Sequence, residues 1–339
     1  VQAEIGSAKR ILVITKFRYL GDNIVATPFL QRLHEAVPQA QITLLSGPAI
    51  PTLLQGCPTL FEVMPFNPKG PDKLKRNLAL VRQIRERQFD TAFLVNRSLH
   101  TAIIARAAGI PVRVGFDTEH RGPLLSHRVP YDWNRPDLDC ALDLLRAVGI
   151  PAETALPSLW VSEGERAAAL TQLKGLGIGL DDLLVGMQPG AHDPEVREWG
   201  VEKFAELADR LTDTLSAKIV LLGSKEERAV SEQVAALMKQ PPIILTGDTG
   251  LREALAIISL CRLWVGNDGG LLHAAVSLGP ATVGIFGPTK AARWGYNTPR
   301  HRTVVVMPEI PAKDPAAIRR SLDAITVEMV TDAAMDVLK

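Results

Sequence analysis

The chain is poor in cysteine, nearly neutral and free of long apolar runs, and each of these absences removes a class of protein. Its three cysteines, Cys57, Cys140 and Cys261, are odd in number, widely spaced and fit no metal-ligand pattern. They are expected to be reduced and buried, which favours a cytoplasmic setting. The formal net charge is +1, so nothing global favours a nucleic-acid partner and any basic surface must be local. No apolar stretch approaches the ~20 residues of a membrane span. Val1 to Arg10 carries no apolar segment of the secretory kind. No G-x-G-x-x-G occurs anywhere, so the dinucleotide-binding fingerprint is missing.

What is present is ordinary for a soluble globular protein: 46% hydrophobic and 22% charged residues. The length, 339 residues, fits two domains of about 150 residues each. Short apolar runs alternate with amphipathic windows, the signature of an α/β fold built on parallel sheets. In the first half this pattern predicts strands over 11–15, 42–45, 61–64, 91–95 and 113–115. Helices are expected over 23–36, 74–87, 99–108 and 138–148. Residues 151–182 read as a connection that carries one Ala-rich helix over 164–173. A second series predicts strands over 183–188, 218–222, 243–245, 262–265, 282–286 and 303–306. Its helices fall over 201–214, 226–239, 251–259 and 271–278, followed by terminal helices over 315–322 and 327–338. The expected division is an N-terminal Rossmann-like domain, 1–160, and a C-terminal one, 161–314, on either side of a cleft. The helices of 315–339 are expected to pack back towards the first domain.

Residues able to do chemistry collect just after the predicted strands, where open α/β sheets bind ligands. The stretch from Gly266 to Thr289 says most. Asp268 lies at a small turn, Gly269 and Gly270 let the backbone come close to a ligand, and the helix starting there aims free N–H groups at an anion. His273 follows one helical turn later, and Gly287-Pro288-Thr289 makes a second turn of the same kind. Such a pair suits a diphosphate. Upstream, Pro189-Gly190-Ala191-His192 leads to Arg197 and Trp199. Arg197 either offers phosphate a charged fork of donors or is a surface Arg beside Glu195 and Glu198. Trp199 reads as a packing anchor. Glu227 or Glu226 either accepts ribose hydroxyls or simply favours a helix N-terminus.

In the first half Gly21-Asp22 follows the opening strand. Asp22 reads as a helix N-cap and as a carboxylate poised to take a proton, two roles that are compatible. Asp137-Leu138-Asp139 has a metal-binding spacing but reads as the first turn of an amphipathic helix. The basic run Lys69, Lys73, Lys75, Arg76, Arg82, Arg85 and Arg87 is opposed only by Asp72 and Glu86. It is either a solvated helix face or a meeting point for an anionic acceptor or inner-leaflet surface, with Arg113, Arg121 and Arg128 as additions.

Taken in order, these segments resemble glycosyltransferase family 9, the ADP-heptose:lipopolysaccharide heptosyltransferases. The resemblance runs nearly end to end. Its pieces are Gly21-Asp22 with Ala26-Thr27-Pro28, Val114-Gly115-Phe116, Pro189-Gly190-Ala191 with Arg197 and Trp199, Gly223 with Glu227, Asn267-Asp268 with His273, and Phe286-Gly287-Pro288-Thr289. It implies the two-domain GT-B fold and inverting sugar transfer without a metal or other cofactor. It implies that Asp22, beside Gly21, is the general base on an acceptor hydroxyl. Arg197 would sit near the donor phosphates, where the family usually has Lys. Asp268, Gly270 and His273 match the nucleotide-sugar loop, Glu227 the ribose-binding acid, and Thr249 the segment whose backbone meets adenine. Gly269 and His192 stand where the family has Ser or Thr. The implied donor is a nucleotide-sugar, ADP-heptose, and the implied acceptor an anionic lipid-linked saccharide of the lipopolysaccharide inner core. The implied setting is cytoplasmic, with peripheral contact at the inner face of the membrane. Transfer from another nucleotide-sugar, a nucleotide-sugar epimerase of the same fold and a non-catalytic nucleotide-sugar binder remain the alternatives.

Overall fold

The computed structural model describes residues 5–69, 71–179, 181–287, 291–306 and 315–339. The chain divides into two compact units, Val1–Leu159 and Trp160–Lys339. Each is built on a six-stranded parallel sheet.

The first sheet uses β1 (Arg10–Ile14), β2 (Gln41–Ser46), β3 (Glu62–Pro65), β4 (Thr91–Leu94), β5 (Val112–Phe116) and β6 (His127–Val129), in the order β3-β2-β1-β4-β5-β6. The second uses β7 (Leu184–Gln188), β8 (Lys218–Leu221), β9 (Ile243–Ile244), β10 (Leu263–Asn267), β11 (Ala281–Phe286) and β12 (His301–Val305), in the order β12-β11-β10-β7-β8-β9. Counted from its own first strand, each sheet has the same doubly wound order. The winding reverses between β1 and β4, and again between β7 and β10. Loops leaving such a reversal diverge, and the crevice between them lies at the carboxyl ends of the strands. The central strands are continuous apolar runs because helices cover both faces. Ile11 to Ile14 of β1 and every residue of β11 are buried.

Several elements differ from the sequence reading, among them the short helices Ile50–Leu53, Pro194–Arg197 and Ala291–Trp294, which were not expected. Strand β6 was not expected, since His-Arg-Val carries no apolar run; it forms at the sheet edge by pairing with Val114 to Phe116. The first helix starts earlier than expected, at Leu20–Val25, and a second runs Thr27–Ala36. Pro28 stands in the first turn of the second helix, where its missing N–H costs nothing.

The terminal helices Pro315–Asp323 and Val327–Val337, with the turn between them, bury Leu322, Ile325, Val330, Ala334 and Val337 in the core that also holds Val185, Val265 and Val283. They complete the second unit and are not a segment apart. The Ala-rich helix, Glu163–Gly175, also belongs there. It opens with a Ser162–Glu165 capping box, and Arg252 donates to both Glu165 oxygens at 2.7 Å. Those hydrogen bonds hold the Glu165 carboxyl down at about 2. Asp137 and Asp139 do lie in the first turn of a helix, Asp137–Arg146, where Tyr131 and Thr154 donate to them. Among the described residues no helix is long and apolar enough to cross a membrane.

Candidate active site

In the second unit the expected donor residues follow successive strands along one carboxyl edge. Ala191, His192 and Arg197 come after β7, Glu227 after β8, Thr249 after β9, Asp268 to His273 after β10, and Gly287 after β11. From β9 to β11 the sheet order spans four inter-strand spacings, about 19 Å in all. That edge has room for an extended nucleotide-sugar, well beyond the size of a lone phosphate.

Asn267 joins the two loops at the winding reversal. Its Nδ2 donates to Pro189 O at 2.7 Å, and its Oδ1 accepts from Trp199 N at 3.2 Å. Trp199 is fully buried, and its indole donates to Ile325 O at 2.9 Å. Arg319 adds a bond to Glu198 O at 2.8 Å, so the terminal helices hold the loop that carries Arg197. Arg197 pairs with neither Glu195 nor Glu198; its Nε lies 3.8 Å from the exposed Asp193 carboxylate one turn back. Its Nη1 lies 3.5 Å from the buried Asp268 carboxylate and donates to Asp268 O at 3.3 Å. The helix Gly270–Leu278 starts directly after Asp268 and Gly269, with no side-chain cap on its first amides. A cation and free N–H groups thus converge at the end of β10, donors suited to a diphosphate, with the Asp268 carboxylate holding the cation in place.

Glu227, and not Glu226, reaches into this edge. Its Oε1 accepts from Gln188 Nε2 at 3.0 Å and its Oε2 from Ser224 N at 2.5 Å. Two glycines make its seat: a Cβ at Gly190 would lie 2.7 Å from Glu227 Cβ, and one at Gly223 2.6 Å from Glu227 Oε2. Ala191 is buried and donates to Glu198 Oε1 at 3.1 Å, while His192 is exposed. Burial raises the Glu198 pKa, the Ala191 N–H opposes that, and the nearby Glu227 charge adds to it. Thr249 is partly exposed.

His273 is more committed than expected. It is buried, its Nδ1 lies 2.8 Å from the Tyr296 hydroxyl, and its ring packs edge-on against Trp294 and Tyr296. Burial, reinforced by Asp268, raises the Tyr296 pKa, so this hydroxyl stays protonated. Gly287 has a packing reason to lack a side chain, because a Cβ there would lie 3.0 Å from Val196 O. Pro288 and Thr289 lie outside the described residues.

In the first unit Asp22 is not an N-cap. It lies in the first turn of Leu20–Val25, whose cap position is Tyr19. Lys16 Nζ donates to its carboxylate, which is largely shielded from water. Gly21 is buried beside it. The loop between β1 and this helix is held by Asn23, whose Nδ2 donates to Lys16 O at 3.0 Å and Tyr19 O at 2.8 Å. Asn23 Oδ1 accepts from the hydroxyls of Thr15 and Ser46 at 2.6 and 2.7 Å. Gly47 lets the loop pass, since a Cβ there would strike Phe17 O at 2.0 Å. Arg121 and Arg113 do not extend the basic surface. Arg121 is fully buried and donates to Phe116 O and Asn96 O at 2.6 and 2.7 Å, and burial draws its pKa down to about 10. Arg113 is taken up by the carbonyls of Leu124, Ile110 and Pro111.

Sequence reasoning missed Gln188 and Asn23. Gln188 Oε1 is buried without a partner among the described residues and faces Gly269. Asn23 is the first residue of a predicted helix, where nothing in its spacing marks it as a clamp.

Two doubly wound parallel sheets, one carrying a nucleotide-sized polar edge and the other a shielded carboxylate after its first strand, are the parts of a GT-B glycosyltransferase. Comparison with known proteins agrees. The profile of glycosyltransferase family 9 (heptosyltransferase) matches residues 77–319. Lipopolysaccharide heptosyltransferase 2 of Escherichia coli (strain K12) is 30% identical over 295 residues, covering 83% of each chain. Among solved structures, a family 9 glycosyl transferase from Veillonella parvula superposes with a TM-score of 0.87 at 24% identity, over 97% of both chains. The E. coli ADP-heptose LPS heptosyltransferase II superposes at 0.80 with 25% identity, over 97% of this chain and 98% of that one. The chain belongs to glycosyltransferase family 9.

Proposed function

We propose that this glycosyltransferase moves a heptose, with inversion, from ADP-heptose to an anionic lipid-linked saccharide of the lipopolysaccharide inner core. The reading is supported by the relative named lipopolysaccharide heptosyltransferase 2, similar over most of both chains. It is supported equally by the run of donor-type residues along one edge of the second sheet. Glu227, aimed by Gln188 and two glycines, would accept the ribose hydroxyls, with Thr249 towards the base. Arg197 and the amides that open the Gly270–Leu278 helix would take the diphosphate, and Ala191, His192, Asp268 and His273 would line it.

Asp22 would accept the proton of the attacking hydroxyl as the new bond to the anomeric carbon forms and the bond to the diphosphate breaks. The departing ADP then gains negative charge, which preorganised donors stabilise by on the order of 3 kcal/mol each. Lys16 would keep the carboxylate aimed. The acceptor is membrane-linked, so the protein would work at the inner face of the cytoplasmic membrane.

The test is transfer from ADP-heptose to a delipidated inner-core acceptor by the wild type and Asp22→Asn. The variant should lose ~10²-fold or more in kcat while its ADP affinity stays within about twofold. Equal losses in turnover and ADP binding would remove Asp22 from the chemistry. Product formed from the donor alone would point to an epimerase.

A further inference from the structure

We infer that the helices Lys73–Glu86 and Leu99–Ala107 form the surface by which the protein settles on an anionic lipid bilayer. This inference rests on the lipid-linked acceptor reading and gives it a place on the molecule. The two helices run side by side in the same direction. At one end Arg85 donates to Ala107 O at 2.7 Å. At the other, His100 is held below its usual pKa by burial and then by the charge of Lys73. Their inner faces, Leu80, Ile84, Ala102 and Ala105, lie in the core.

Their outer faces carry apolar side chains where a solvated helix would be polar. Leu74 is 73% exposed and Leu78 60%; Ile103 is 48% exposed and Leu99 37%. Leu74 and Leu78 are one turn apart, and Leu78 shares a flank with Arg85, which reaches the neighbouring helix. Leu99 and Ile103 are likewise one turn apart on that neighbour. A lone exposed Leu needs no explanation, but a patch shared by adjoining helices does.

Cations surround it. Lys73, Lys75, Arg82, Arg85 and Arg106 are exposed, and of these Arg82 is offset by Glu86. Two members of the basic run are removed by the fold: Arg76 donates to Lys69 O and Pro68 O, and Arg87 pairs with Glu62. Those that remain flank the leucines, as in Lys73-Leu74-Lys75. Apolar tips that enter the headgroup boundary, beside cations that meet anionic headgroups, are what an interfacial helix needs. A second copy of the chain fits less well, because a twofold contact would set this cationic rim against itself. Leu74 and Leu99 lie in the first turns of their helices, at the carboxyl end of the sheet that also carries Asp22.

The experiment is flotation of the full chain with vesicles of phosphatidylglycerol and phosphatidylethanolamine, and separately of phosphatidylcholine. The wild type should float with the anionic vesicles only, and less at high salt. The doubly substituted Leu74→Ser, Ile103→Ser protein should bind them about tenfold more weakly, and Lys73→Glu, Lys75→Glu should do the same. Both should keep full transfer to a delipidated acceptor. Vesicle binding unchanged in both variants would overturn the proposal. So would a wild-type dimer in sedimentation that the serine variant dissociates, since that would make the patch a self-association face. Loss of transfer by the wild type with soluble substrates would count against the transferase reading alone and leave vesicle binding readable.

Discussion

Glu227, the carboxylate proposed to take the ribose hydroxyls, is aimed by residues with no chemistry of their own. Gly223 is the sharpest case, since an added methyl would lie 2.6 Å from Glu227 Oε2. Gly223→Ala should weaken ADP binding about tenfold by calorimetry, approaching the effect of Glu227→Gln. ADP affinity equal to wild type in Gly223→Ala would show that the seat does not matter. Asn23 plays the corresponding part for Asp22. Asn23→Ala removes an acceptor shared by the Thr15 and Ser46 hydroxyls, which keep each other and Lys16 O. It removes as well the donor to Lys16 O and Tyr19 O, and should cost ~1–3 kcal/mol in urea unfolding. It should also lower kcat with ADP affinity unchanged, because it loosens only the first-unit loop. Glu227 and Asp22 were legible as residue types after strands; their clamps were not. Asn23 meets Ser46 through a sheet pairing that no local pattern announces.

At the scale of elements, β12 carries a built-in sensitivity to acid. His301 is buried, lies 2.9 Å from the Thr282 hydroxyl, and its pKa is pushed down to about 4 by burial and then by Arg300. Above its ordinary value of 6.5 the imidazole is neutral in both folded and unfolded chains. As pH falls below that value the unfolded chain takes the proton first, so stability drains away until the folded pKa is reached. Unfolding by urea at pH 7 and pH 5 should show this loss, and His301→Gln should flatten it. An unchanged slope in the variant would assign the effect elsewhere. The long apolar strands were legible because burial on both faces leaves continuous runs. Strand β6 was not, because three residues at an edge are recruited by β5.

For the whole molecule, the two units repeat one winding around separate cores, and the residues proposed for the donor all lie in the second. Residues 160–339 expressed alone should therefore unfold cooperatively, bind ADP and melt at a higher temperature as ADP is added. They should catalyse no transfer, because Asp22 is absent. A fragment that folds but ignores ADP would show that the nucleotide needs the first unit as well. The terminal helices should be indispensable to this fragment, since Trp199 donates to Ile325 O and Arg319 to Glu198 O. Truncation after residue 314 is expected to abolish ADP binding together with the fold.

The amino-acid sequence by itself determined the alternation of strands and helices, the parallel α/β class and the residue types waiting at strand ends. Periodic burial and turn chemistry are local properties, written in neighbouring residues. Tertiary structure alone decided which acid of Glu226-Glu227 enters the site and that Arg197 meets Asp268. It also decided which cations of the basic run remain at the surface. Each of those outcomes depends on groups brought together across strands from distant parts of the chain, where only the closed sheet fixes who is adjacent to whom.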